Sequence, residues 1–254
     1  MQTRRTFLAT LAGASAFALA ACGGGSNEAA ETTDAPAAAA GDGTDAKGEG
    51  VMTYDEYLAA AVDDEVVIEC FVQATQSWWE DKITIYGADA DGGYFIYNAA
   101  CSEEDSKKLT EGQKIKVTGY KADFEGEVEI ADGTIEFEDG SFVSEPIDVT
   151  DLLGTDELID YQNQKVSFNG MTIEASDNGE AFEYKGEAAG DDIYFKASAN
   201  GATYDFTIES YLTDQESDVY KAVEGLKVGD TVNMTGFLYW YQGANPHITS
   251  VTVA

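Results

Sequence analysis

The 254-residue chain carries 48 aspartates and glutamates against 14 lysines and arginines, which gives it a formal net charge of −34. A chain this acidic repels polyanions and anionic lipid, so we expect no nucleic acid among its partners. One histidine and three cysteines are too few for a metal site built from those ligands, and we expect neither a metal nor another cofactor.

Residues 1–21 predict an export signal that is removed and takes no part in the fold. They run from a basic start with Arg4 and Arg5, through an uncharged stretch of Ala, Leu and Phe, to small residues. The segment Thr3–Leu8 resembles a twin-arginine export motif, and a general secretory signal with two incidental arginines is the alternative. Because both arginines of the chain lie here, removal of the signal would leave a mature protein without arginine.

Cys22 is the predicted site of a lipid anchor. Residues Leu19–Cys22 resemble the lipobox of bacterial lipoproteins, in which the thiol receives a diacylglyceryl group before a peptidase cleaves in front of it. The preceding apolar stretch is shorter than the roughly 18 to 20 residues that a membrane-spanning helix requires. We therefore expect a protein that is held through Cys22 on the extracytoplasmic face of a cell membrane.

Residues 22–50 predict a flexible tether between the anchor and a folded region. After Cys22 this segment has no aromatic side chain and no aliphatic side chain larger than alanine, so it cannot bury enough surface to offset the entropy of ordering. From Val51 onward the sequence becomes rich in aromatic and β-branched residues. The folded region is therefore expected to begin there.

An internal repeat indicates that the folded region contains two copies of one domain. Leu109–Tyr120 aligns with Leu226–Phe237 without a gap, and Leu, Gly, Thr and Gly are identical at equivalent positions. We accordingly assign residues 51–145 to a first domain and residues 146–254 to a second.

The first copy is predicted to contain a short helix, three strands, a second helix and two more strands. Thr53–Glu56 has the capping-box pattern of a helix start. Asp89–Gly93 predicts a hairpin turn and not an EF-hand loop, because Ala100 stands where that loop needs a bidentate glutamate. The predicted strands are Glu65–Ala74, Lys82–Ala88, Tyr94–Asn98, Lys114–Tyr120 and Glu127–Phe137, with the second helix near Ser102–Leu109.

The second copy repeats this order with longer loops. Three strands, a helix and two strands is the order of an OB-fold barrel, so we expect a mainly β protein of two tandem OB-like five-stranded barrels with short helices. Paired immunoglobulin-like sandwiches are the rival architecture, which the helix before each fourth strand disfavours. The predicted strands are Lys165–Glu174, Ile193–Ala197, Tyr204–Ser210, Thr231–Trp240 and His247–Val253, with helices near Asp156–Tyr161 and Asp218–Leu226.

The repeated motif resembles the fourth-strand region of OB-fold domains. From Thr53 to the C terminus the chain is similar to an uncharacterised family of tandem OB-fold lipoproteins from Gram-positive bacteria. The resemblance implies the fold and the lipid anchor, but it implies no activity. OB folds bind nucleic acids, sugars and proteins, so the fold alone does not identify a ligand.

Two aromatic clusters are the candidate ligand-binding residues. Trp78 and Trp79 lie between the first two predicted strands of copy one, and Tyr239, Trp240 and Tyr241 lead into the last loop of copy two. In OB folds these two loops flank the ligand face, although packing within the barrels is the alternative. We expect a non-enzymatic module that binds an extracellular glycan or peptide. A protein–protein adaptor in an envelope complex is the second hypothesis, and an unrecognised enzyme is the third.

Three further residues have chemistry that the sequence leaves open. Cys70 and Cys101 are available for a disulfide outside the membrane, and two separately buried thiols are the alternative. His247 has no nucleophile in a recognisable motif, so we expect a partly exposed loop residue and not a catalytic base.

The variant Cys22→Ser tests the predicted anchor. Serine has no thiol to form the thioether, so we expect loss of acylation, with the protein accumulating as uncleaved precursor or released into the medium. Mass spectrometry of the N-terminal peptide from native and variant protein measures this directly. An unacylated native N terminus would contradict the prediction.

Overall fold

The computed structural model describes residues 47–186 and 188–254. The predicted export signal with Arg4 and Arg5, the predicted lipidation site Cys22 and most of the predicted tether lie outside the described residues. Within the two described ranges, no helix is both long and apolar enough to cross a membrane.

The first barrel is built from five strands: β1 (Glu65–Thr75), β2 (Lys82–Ala88), β3 (Gly93–Ala100), β4 (Gln113–Phe124) and β5 (Glu127–Ser141). They form a closed barrel in the order β1-β2-β3-β5-β4, in which β4 pairs back onto β1. Neighbouring strands are antiparallel except β3 and β5, which run parallel.

The second barrel belongs to a sheet of seven strands: β6 (Ile147–Asp148), β7 (Lys165–Glu174), β8 (Phe182–Tyr184), β9 (Ile193–Ala199), β10 (Ala202–Ile208), β11 (Thr231–Phe237) and β12 (His247–Val253). Strands β7, β11, β12, β10 and β9 follow one another, and the pairing of β7 with β9 closes them into a barrel. Strands β10 and β12 run parallel, as β3 and β5 do. The predicted fold class of two tandem OB-type barrels is confirmed.

The α-helices of the described residues are short: α1 (Tyr54–Ala59), α2 (Glu103–Ser106) and α3 (Asp218–Glu224). Helices α2 and α3 precede the fourth strand of their barrels, as predicted. Helix α1 begins with the predicted capping box, because the Thr53 hydroxyl accepts the Glu56 N–H and the Glu56 carboxylate accepts the Thr53 N–H. The segment Asp156–Tyr161, predicted as a helix, is a 3-10 helix.

Each barrel encloses its own apolar core. Along β1, the alternate residues Val66, Ile68, Cys70 and Val72 are fully buried and belong to the core of the first barrel. The core of the second barrel is assembled in the same way from β7, β9, β11 and their neighbours. Each repeat therefore has an apolar interior of its own.

The glycine of the repeated motif has a steric reason. Gly119 in β4 and Gly236 in β11 lie at register shifts in the antiparallel pairing of the fourth strand with the fifth strand of each barrel. A Cβ at Gly119 would lie 2.7 Å from the carbonyl oxygen of Ala131, and one at Gly236 would lie 2.7 Å from the Cα of Ile248. Neither position accepts a side chain, so the glycine of the repeated motif occupies the same irregularity of strand pairing in both barrels.

Cys70 and Cys101 are free, buried thiols, so the disulfide that the sequence allowed between them is not formed. The Cys70 side chain points into the barrel against Gly87, where an added Cβ would lie 2.6 Å from the sulfur. Cys101 follows β3, and its thiol contacts the carbonyl oxygen of Ser102 at 3.4 Å. Both side chains belong to the apolar core of the first barrel, with no bond between them.

An aromatic cluster joins the barrels along a surface that we call the seam. Tyr86 of the first barrel stacks on Phe237 of the second, with ring centroids 4.5 Å apart. The Tyr86 hydroxyl lies 2.7 Å from Nδ1 of His247, and Phe95 packs edge-on against Tyr239. The expectation of a partly exposed His247 is therefore wrong, because the seam covers its ring. Burial lowers the pKa of His247 to about 3 and keeps the imidazole neutral.

A buried carboxyl group connects the barrels beside this cluster. Glu127 is fully buried, and its Oε2 accepts the Trp240 backbone N–H at 2.8 Å and the Gln162 side-chain amide at 3.3 Å. Its Oε1 has no hydrogen-bond partner within the described part of the chain. Burial raises the pKa of Glu127 to about 8, so the neutral acid predominates at pH 7.

The variant Glu127→Gln tests this account of the seam. Because the pKa of Glu127 is raised by folding, its contribution to stability is complete below about pH 4.5 and is lost as the pH rises through about 8. Glutamine keeps a neutral side chain of the same shape at every pH. Near pH 9 we therefore expect the variant to unfold with a free energy about 1 to 3 kcal/mol larger than that of the native chain.

Urea unfolding at several pH values gives the measurement, and near pH 5 the two proteins should be close in stability. The exposed Glu65, changed to glutamine, is the matched control and should leave the pH dependence as it is. A native-like pH dependence in Glu127→Gln would contradict the assignment of the neutral acid.

Candidate functional site

A groove runs across the outer face of β2 and β3 and continues over the seam to the second barrel. It consists of two adjoining cavities, an outer one of about 340 Å³ and an inner one of about 460 Å³. Gln76 and Tyr97 line both cavities, so the two lie next to each other. We call this feature the inter-barrel groove. It lies on the second and third strands of the first barrel, which form the ligand face of OB folds.

The outer cavity presents aromatic rings to solvent. Trp79 is 69% exposed, Tyr211 is 64% exposed and Tyr97 is 45% exposed. The remaining lining is polar: Gln76, Ser77, Lys82, Thr84 and Asn98. The cavity therefore combines flat apolar surfaces with hydrogen-bonding groups at their edges.

A tight turn places Trp79 at the mouth of the outer cavity. Trp79 and Lys82 exchange two backbone hydrogen bonds of 3.0 Å, and the two residues between them, Glu80 and Asp81, have positive φ angles of 46° and 60°. This geometry is typical of the two-residue hairpin turn that matches strand twist. Two bonds across the seam fix the opposite wall, because Ser77 donates both its N–H and its hydroxyl to the carbonyl oxygen of Tyr211.

The inner cavity is walled by rings from both barrels. Tyr239 stacks on His247 with centroids 4.4 Å apart, while Phe95 meets Tyr239 edge-on at 5.2 Å and lies nearly parallel to Tyr97 at 6.4 Å. These contacts fix the ring planes before any ligand arrives. The full lining is Gln76, Phe95, Tyr97, Lys185, Asp192, Tyr194, Thr207, Glu209, Tyr239, Tyr241, Asn245 and His247.

Two carboxyl groups of the inner cavity differ in their electrostatic surroundings. Burial alone would raise the pKa of Asp192, but hydrogen bonds from Ser210 and an ion pair of 3.1 Å with Lys185 outweigh it and lower that pKa. For Glu209, burial prevails and raises the pKa to about 7. Its oxygens accept hydrogen bonds from the backbone N–H groups of Tyr211 and Leu212. Among the described residues, no side-chain cation lies within ion-pair distance of it.

Three of the five predicted ligand-binding residues line the groove: Trp79, Tyr239 and Tyr241. The other two lie outside the groove. The half-buried Trp78 donates its indole N–H to the carbonyl oxygen of Cys101 at 2.8 Å. Trp240 is also half-buried, packs on the core of the second barrel and contacts Gly126 across the seam.

The groove also contains residues that the sequence analysis missed, among them Gln76, Tyr97, Tyr211 and Glu209. Of these residues, only Tyr97 could have been identified from the sequence as a candidate ligand-binding residue. It shares the outward face of β3 with Phe95 two residues earlier, and a pair of large rings on an outward face of a strand marks a covered or ligand-binding surface.

The acidic turn that resembles an EF-hand start is the predicted hairpin turn between β2 and β3. The Asp89 Oδ1 accepts the N–H groups of Asp91 and Gly92, and Oδ2 accepts the Tyr94 hydroxyl and pairs with the Lys47 ammonium at 2.7 Å. Lys47 also donates to the carbonyl oxygen of Glu69. Across the described ranges, no group of three or more His, Cys, Asp or Glu side chains is arranged to hold a metal ion.

No family model matches the chain, and no curated protein matches it. Solved structures do match. The p204 HINb domain is 10% identical with a TM-score of 0.35, covering 77% of this chain and 100% of that chain. The Ifi202 HINa domain in complex with 20-bp double-stranded DNA is 14% identical with a TM-score of 0.33, covering 75% and 98%. A murine DNA-binding protein bound with double-stranded DNA is 10% identical with a TM-score of 0.34, covering 75% and 98%.

The prediction that nucleic acid is absent from the partners is contradicted by these matches, since two of the similar proteins were solved with double-stranded DNA. The prediction rested on net charge alone, which does not describe how charges and rings are distributed over the surface. At these identities and TM-scores the likeness assigns no ligand to this chain.

The variants Trp79→Ala and Trp240→Ala separate the two kinds of aromatic residue. Loss of the exposed Trp79 ring should change the free energy of unfolding by less than about 0.5 kcal/mol. Loss of Trp240 should cost roughly 2 to 3 kcal/mol, because its ring packs against the core of the second barrel. Urea unfolding of both variants measures the difference, and equal losses would contradict the placement.

Proposed function

We propose that this protein is an exported, lipid-anchored binding module that captures an extracellular oligosaccharide in the inter-barrel groove. The observation that carries the proposal is the set of exposed rings, Trp79, Tyr97 and Tyr211, with amide and hydroxyl groups between them. Export and anchoring are proposed from the sequence signals around Arg4, Arg5 and Cys22.

The outer cavity favours a glycan over a peptide. One face of a pyranose ring carries C–H groups that stack on an aromatic plane, and its edge carries hydroxyls that pair with amides such as Gln76 and Asn98. A peptide commonly binds by adding a strand to a free sheet edge. Strands β2, β3, β9 and β10, which line the groove, each pair on both sides within a closed barrel.

The groove also disfavours the other two hypotheses. A protein–protein adaptor would use a flat apolar patch or an open sheet edge, whereas this surface is concave and mixes rings with polar groups. For enzymatic chemistry, His247 would be the natural base. A pKa of about 3 makes its imidazole a very weak one, and its Nδ1 is already engaged with the Tyr86 hydroxyl.

A glycan array followed by fluorescence titration of full-length, detergent-solubilised protein tests the proposal. We expect saturable binding of an oligosaccharide that changes tryptophan emission, and at least a tenfold loss of affinity in Trp79→Ala. The matched control is Tyr120→Ala, which removes an exposed aromatic ring outside the groove and should bind normally. These rings can also stack on bases, so an oligothymidine is titrated in parallel. Absence of glycan binding, or tighter binding of the oligothymidine that depends on Trp79, would contradict the proposal.

A further inference from the structure

The inner cavity differs from the outer one in its charge. The outer cavity has one ionisable side chain in its lining apart from tyrosine, Lys82, whereas the inner cavity holds Asp192, Glu209, Lys185 and His247. His247 is neutral, and Lys185 is paired with Asp192. The remaining group is Glu209. The Lys185 ammonium acts on it only at longer range, so among the described residues Glu209 has no ion-pair partner of its own.

Glu209 is fixed in position for contact with a ligand. Its side chain is 9% exposed, and the N–H groups of Tyr211 and Leu212 hold its two oxygens at 3.2 and 2.8 Å. These donors are neutral, and burial raises the pKa of Glu209 to about 7, so a cation bound beside the carboxyl group would favour its ionised form. Because the Glu209 carboxyl group is already held in one conformation, little side-chain entropy would be lost when a cation binds to it.

The rings around Glu209 are suited to the same kind of ligand. Tyr97, Tyr239 and Tyr241 line the inner cavity, and Tyr97 and Tyr241 are about half-exposed. Burial raises the pKa of Tyr239 well above its usual value, so its ring stays an uncharged phenol. A cation over an aromatic face gains electrostatic energy from the ring quadrupole, and the gain increases as the site is shielded from water.

We propose that the inner cavity is a subsite for a primary ammonium group, so that the preferred oligosaccharide carries a free amino sugar. This inference rests on the proposed function, since it takes the outer cavity as the platform for the neighbouring sugar. The shared walls at Gln76 and Tyr97 would place the two sugars next to each other along one chain. Glu209 would pair with the ammonium group, and Tyr97, Tyr239 and Tyr241 would enclose it.

The experiment compares two probes that differ only at their nitrogens: the tetramer of β-1,4-linked glucosamine and the same tetramer fully N-acetylated. Isothermal titration calorimetry of the full-length protein is carried out near pH 7, because at lower pH the raised pKa of Glu209 would keep its carboxyl group protonated and uncharged. We expect the amine tetramer to bind at least tenfold more tightly. In Glu209→Gln this preference should fall to about onefold, and most of the change should be a loss of affinity for the amine tetramer.

The exposed Glu157 of the second barrel, changed to glutamine, is the matched control and should keep the full preference. It separates local recognition from the general attraction of a cation to an acidic protein. Tyr241→Leu provides a second test that does not alter Glu209 or its hydrogen bonds, and it should also reduce the preference. This variant keeps the proposal testable if Glu209→Gln does not fold.

Each outcome decides between the two proposals. Equal affinity for both tetramers would overturn the ammonium subsite and leave the glycan groove standing, whereas binding of neither would overturn both. A preference for the amine tetramer that survives both Glu209→Gln and Tyr241→Leu would place the ammonium elsewhere and overturn the subsite. Tetralysine is the final probe, and displacement of the amine tetramer by it at equal concentration would overturn the assignment to an amino sugar.

Discussion

The stacking of Tyr86 on Phe237 sets the distance between the two barrels, and every other feature of the groove depends on that distance. The first barrel supplies Phe95 and Tyr97, while the second supplies Tyr211 and Tyr239. Rings from different barrels can face one ligand only if the barrels cannot slide or rotate past each other. An aromatic stack with a hydrogen bond at its edge, here between Tyr86 and His247, resists both movements.

The seam keeps its ionisable groups neutral. The imidazole of His247 is neutral, and the acid of Glu127 retains its proton at pH 7, so neither group brings a charge into the buried region between the barrels. The charges of this very acidic chain are carried by other side chains, largely at the surface. This distribution allows two domains with a large excess of negative charge to pack closely against each other.

Much of the fold could be predicted from the sequence, because local pattern and tertiary structure agree in the strands. Predicted strands Lys82–Ala88 and Lys165–Glu174 have the observed bounds, since an OB barrel buries alternate residues and ends its strands at turns. The repeat could be detected in the sequence because the same irregularity of strand pairing requires glycine at positions 119 and 236. Local information of this kind is present in one sequence.

The candidate site was only partly predictable, because its walls are set by contacts between distant segments. The polar neighbours of Trp240 in sequence suggested exposure, whereas its neighbours in space are a barrel core and Gly126. Tyr211 follows β10 in an unremarkable loop and joins the groove through its bonds with Ser77, which is far away in sequence. No periodicity or motif reports such a pairing.

The ion pair at the start of the described chain bears on how the protein would respond to mechanical load. Lys47 joins the buried carboxylate of Asp89 and the backbone of Glu69, so it attaches the incoming segment to two strands of the first barrel at once. If the preceding segment is a tether under tension, the force would be shared between β1 and the β2–β3 turn. Such a load shears several hydrogen bonds together, whereas a pull on one strand end would peel them apart in succession. The barrel that holds the ring of Trp79 would then be protected from forces applied through that segment.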